Sequence, residues 1–78
     1  MILLTVKEGD GVMTRVLVGV NAIAIQMGIF LQDEIGLDVE FDNVENTIEL
    51  DLDKQEQLRA EYLMTEWRNF DNQLMVIG

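Results

Sequence analysis

Two six-residue stretches, Leu37-Asp38-Val39-Glu40-Phe41-Asp42 and Ile48-Glu49-Leu50-Asp51-Leu52-Asp53, alternate apolar and acidic residues without a break. Successive side chains of a β-strand point to opposite faces, so each stretch predicts a strand with one oily face and one carboxylate face. Asn43-Val44-Glu45-Asn46 between them reads as a four-residue loop, which makes the pair an antiparallel hairpin. Pairing Phe41 with Ile48 sets Val39 opposite Leu50 and Leu37 opposite Leu52, with every apolar residue on one face. The same register opposes Glu40 to Glu49 and Asp38 to Asp51. At a separation of about 5 Å in high dielectric, each opposed pair repels by somewhat under ~1 kcal/mol. A fold tolerates that, but the choice calls for a use of the face.

The charge is concentrated here. Between Asp33 and Glu56 the chain carries ten carboxylates against one cation, Lys54, which accounts for nearly all of the net charge of −10. Apolar residues still make up 49% of the chain, more than a disordered acidic tail carries, so a folded globule is expected. Seventy-eight residues allow one small core, and we expect a single α+β domain over residues 1–78. With no Cys there are no disulfides to hold it, so stability must come from packing or from a partner subunit. No apolar run approaches the ~18 residues of a spanning helix, and Met1-Ile2-Leu3-Leu4 lacks a basic flank, so a cytoplasmic protein with no membrane partner is expected.

The remaining elements follow from local signals. Residues 2–7 and 12–18 are rich in Leu, Val and Thr and flank Gly9-Asp10-Gly11, which predicts a first hairpin. Asn21 is placed to cap a helix over 22–35, with Gly36 as its left-handed stop and Leu37 just beyond. Ile23, Ile25, Met27, Ile29, Phe30 and Leu31 run almost all the way round that helix, so it must be covered on several sides. A competing reading continues strand from 16 to 27, because β-branched residues are frequent there and Gly28 costs a helix about 1 kcal/mol. Asp53 with Glu56 three residues later forms a capping-box start for a last helix from about residue 54. Ala60, Leu63, Trp67, Phe70, Leu74 and Ile77 make its apolar stripe, widened by Tyr62 and Met64. Phe70-Asp71-Asn72-Gln73 also resembles a turn, so 74–77 is alternatively a short strand. The expected architecture is thus two antiparallel hairpins in one sheet packed with two helices, in the order ββαββα.

The chain has no His, Cys or Ser, which removes the common nucleophiles, imidazole bases and zinc ligands together. An acyl carrier needs a Ser for its prosthetic arm, and an electron carrier of this size needs Cys. We expect no catalysis and no cofactor. Asp38, Glu40 and Asp42 with Glu49 mimic EF-hand spacing, but Asn43 stands where Gly makes the sharp turn and the flanks read as strands. Carboxylates two apart on a strand lie about 6.7 Å apart and do not close on one ion, so no metal site is expected.

Acid without cations repels nucleic acid and favours a Lys/Arg-rich protein surface. The candidate partner-binding residues are Asp38, Glu40, Asp42, Glu45, Glu49, Asp51 and Asp53. In its most concrete form the expectation is an inhibitor whose carboxylates imitate phosphates in the basic groove of a nucleic-acid-binding protein, in the style of small phage counter-defence proteins. The alternative is a structural or assembly subunit, such as a homodimer, joined through the apolar helices while the acid only solvates.

Overall fold

The computed structural model describes residues 1–45 and 49–77, with side chains as far as Gln73. Strands β1 (Ile2–Lys7) and β2 (Met13–Val18) form the expected first hairpin. Gly11 takes φ +87° at the turn, a conformation that a side chain would strain. Helix α1 (Asn21–Phe30) follows, then a π-type turn (Leu31–Ile35), strand β3 (Asp38–Asn43) and helix α2 (Lys54–Ile77). The sheet order is β2-β1-β3, with β3 antiparallel to β1. β2 and β3 therefore run parallel, joined through α1 with β1 between them, a split β-α-β unit.

The acidic hairpin does not form among the described residues. Residues 49–53 carry no strand, and β3 pairs with β1 in the register Val6↔Val39, Thr5↔Glu40 and Lys7↔Asp38. Glu40 and Asp38 therefore face a threonine and a lysine, not Glu49 and Asp51, and the expected like-charge opposition is absent from this pairing. Residues 49–53 lead to the far edge of the sheet, where Arg15 of β2 donates from Nη2 to the Asp51 carbonyl at 3.2 Å. The predicted loop at 43–46 and strand start at Ile48 fall partly on residues 46–48, outside the described residues.

One face of the sheet makes the core. Ile2, Leu4 and Val6 of β1, Val16 and Val18 of β2 and Val39 of β3 meet Ala24, Met27, Phe30 and Leu31 from the first helical segment and Ala60 and Leu63 of α2. Residues 21–27 are helical, which decides against continued strand, but the N-cap is Val20 and the Asn21 side chain makes no capping bond. Gly28 has a structural reason. A Cβ there would stand 2.3 Å from two ring carbons of Phe41, so the bare backbone is what lets the ring lie against α1.

Gly36, at φ +82°, ends the segment as expected, and the Leu31 carbonyl accepts from both the Gly36 and Leu37 N–H groups. That π-type turn is one residue wider than an ordinary left-handed stop. The sheet and α2 cover this helix in part, and Ile25 and Ile29 stay 46% and 48% exposed, so the expected cover on several sides is incomplete. α2 keeps its backbone helical through Ile77, so the final short strand is not formed. Tyr62 does not widen the buried stripe; it is exposed, with the Arg59 guanidinium 4.8 Å from its ring centre.

Candidate functional site: an acidic edge strand and an acid-rimmed groove

β3 alternates as its sequence dictates. Val39 is buried and Phe41 packs inward, while Asp38, Glu40 and Asp42 point to the outer face and are exposed, about 6.7 Å apart along the strand. Across the sheet from this row the outer face carries Leu3, Thr5 and Lys7 of β1, then Met13, Arg15 and Leu17 of β2. The row is therefore an acidic strip along one edge of the sheet. Lys7 is the cation that faces it, with Nζ 3.1 Å from Glu40 Oε1. The Glu40 hydrogen bond and charge, with Asp38 adding to them, hold the Lys7 ammonium above its ordinary pKa.

The other predicted residues do not join the strip. Glu45 lies exposed at the bend after β3, and Glu49 is exposed in the connection. Asp51 and Asp53 gather at the β2 edge, on the opposite side of a sheet whose strands are about 4.8 Å apart. Asp53 caps α2 as expected, its Oδ1 accepting the Glu56 N–H at 2.7 Å. Glu56 departs from the capping box, because its carboxylate turns to Arg15. It accepts from Arg15 Nη2 and Nε at 2.9 and 3.0 Å and from the Arg15 backbone N–H at 2.9 Å. Those bonds lower the Glu56 pKa against the opposing effect of burial. Glu56 thereby satisfies a backbone donor on the free edge of β2 and ties the start of α2 to the sheet. Nearby, Arg59 pairs with Glu8.

The acidic pattern gave no sign of a second feature. Between α1, the π-type turn and α2 runs a groove of about 400 Å³. Its apolar lining is Ile29, Phe30, Trp67 and Phe70, and the Phe30 and Phe70 rings lie 4.9 Å apart at 35°. Asp33, Glu34 and Asp71 line it too. The signal available in the sequence was the helix at 22–35, which has too few polar residues to be half solvated. Among the described residues no three carboxylates converge to hold a metal ion, and no helix is long and apolar enough to cross a membrane.

No protein family, curated protein or solved structure matches the chain. The functional reading therefore rests on its own residues.

Proposed function

We propose that this chain is a non-catalytic protein-binding module that docks its acidic edge strand on a Lys/Arg-rich surface, most concretely the nucleic-acid groove of a partner that it inhibits. The observation that carries this reading is the row Asp38, Glu40 and Asp42, exposed on one side of an edge strand and faced by a single lysine. The strand backbone is ordered before binding, so the three carboxylates are presented at regular spacing and only their side chains have to be ordered by a partner. The net charge of −10 adds long-range attraction to any basic partner and speeds encounter. Glu45 and Glu49 lie in the connection that follows the strip, whereas Asp51 and Asp53 belong to the β2 edge and are secondary contributors.

The test is a comparison of D38N/E40Q/D42N with the unaltered chain as bait for basic proteins of its native host. The unaltered bait should capture a nucleic-acid-binding protein that moderate salt elutes and that duplex DNA displaces. The triple amide variant should fold and capture nothing. Equal capture by both baits refutes the reading.

A further inference from the structure

We propose that the groove between α1 and α2 is a second recognition site, which receives a basic amphipathic helix of a partner protein. Ile25 and Ile29, four residues apart and each about half exposed, extend the apolar surface of the groove along α1. Spacings of three and four are those by which a helix lays its apolar side chains into a groove between other helices. The volume of about 400 Å³ accommodates one or two aliphatic side chains against Trp67 and Phe70, within the range of built recognition pockets. Ile29 lines the groove and Ile25 stands one turn before it, so their exposed surface adjoins the apolar lining, which is the contiguity that marks a contact surface.

Charge selects the occupant. The groove is lined by Asp33, Glu34 and Asp71 and, among the described residues, by no lysine or arginine. An incoming helix with leucines on one side and lysines flanking them would match both features at once. A second copy of this chain would bring another ten negative charges and is disfavoured by the same argument. The site does not depend on the acidic edge strand, which belongs to the sheet.

Trp67 is the sole tryptophan of the chain and lines the groove, so its emission reports entry directly. The probe is a peptide of about 18 residues, roughly five helical turns, built of Leu and Lys with leucines on one face. Titrated into the full chain, it should give a saturable blue shift of Trp67 emission. D33N/E34Q/D71N should weaken that binding about tenfold, roughly twofold for each of three solvent-screened ion pairs. Ile29→Glu, at a half-exposed position where folding is retained, should weaken it at least as much. D38N/E40Q/D42N, which removes the same number of charges outside the groove, should keep the blue shift and weaken binding clearly less than D33N/E34Q/D71N. The proposal is overturned if emission does not respond, or if a Leu/Glu peptide of the same pattern responds equally. Loss of binding in D38N/E40Q/D42N with none in D33N/E34Q/D71N also overturns it, moving the peptide to the edge strand and leaving that reading standing. A dimer in sedimentation equilibrium that Ile29→Glu dissolves would assign the groove to a second copy and likewise overturn it.

Discussion

Gly28 and Phe41 should be energetically coupled in a way that reverses the sign of a single substitution. In an isolated helix, Gly→Ala is worth about 1 kcal/mol of stabilisation. Here the added methyl would sit 2.3 Å from the Phe41 ring, where carbon atoms require about 3.5 Å or more, so the ring must leave by over an ångström. Phe41 is 40% exposed, so the packing at stake is a little over half of a fully buried phenylalanine, roughly 1–2 kcal/mol. Gly28→Ala in the unaltered chain should therefore be neutral to destabilising by about 1 kcal/mol. In a Phe41→Ala background the same change should stabilise by about 1 kcal/mol. The coupling energy of the double-mutant cycle is then about 1–2 kcal/mol. Urea unfolding followed by helical circular dichroism measures it, because urea, unlike guanidinium, leaves the electrostatics of so acidic a chain unscreened. Additivity within about 0.5 kcal/mol would refute the claim that Gly28 is there for Phe41.

Thr14 is fully buried and its hydroxyl has no partner among the described residues, so Thr14→Val should stabilise by about 1 kcal/mol, raising Tm by roughly 4–8 °C; destabilisation would show that the hydroxyl is satisfied. Glu56 has a folded pKa below its unfolded one, so its contribution is complete above the ordinary carboxylate range and is lost as pH falls through the folded value. Urea midpoints taken across the acid range should therefore fall less steeply in Glu56→Gln than in the unaltered chain, from a lower starting stability. Asp53→Ala removes the N-cap of α2 and should cost about 1 kcal/mol in the same urea assay.

The elements fixed by short-range chemistry were readable from the residues alone. The first hairpin follows from Gly9-Asp10-Gly11 between two β-rich runs, and the starts and stops at Asp53 and Gly36 are set by bonds within a few residues. The partner of β3 was not readable. Alternation from Leu37 to Asp42 fixes which side chains face inward, but it is silent on which strand lies alongside, and β1 offers a lysine and a threonine where residues 49–53 offer only acid. For the same reason Asp38, Glu40 and Asp42 form one row while Asp51 and Asp53 lie across the sheet. The Glu56 carboxylate took a different role from the capping one its position announced, since Arg15 is 41 residues away. The groove eluded prediction because it depends on how two helices meet.

The central position of β1 has a consequence for how the chain is made. Ile2-Leu3-Leu4-Thr5-Val6 is strongly β-forming and uncharged, the composition of a segment prone to pair with other copies. β2 follows it within a few residues and covers one edge early, but the other edge waits for β3, some 36 residues further along. During that interval a nascent chain exposes an apolar strand edge to its neighbours. The strand that finally closes it is the acidic one, so the row of carboxylates also acts as a guard rail, making the completed edge repel any further copy that would add to the sheet.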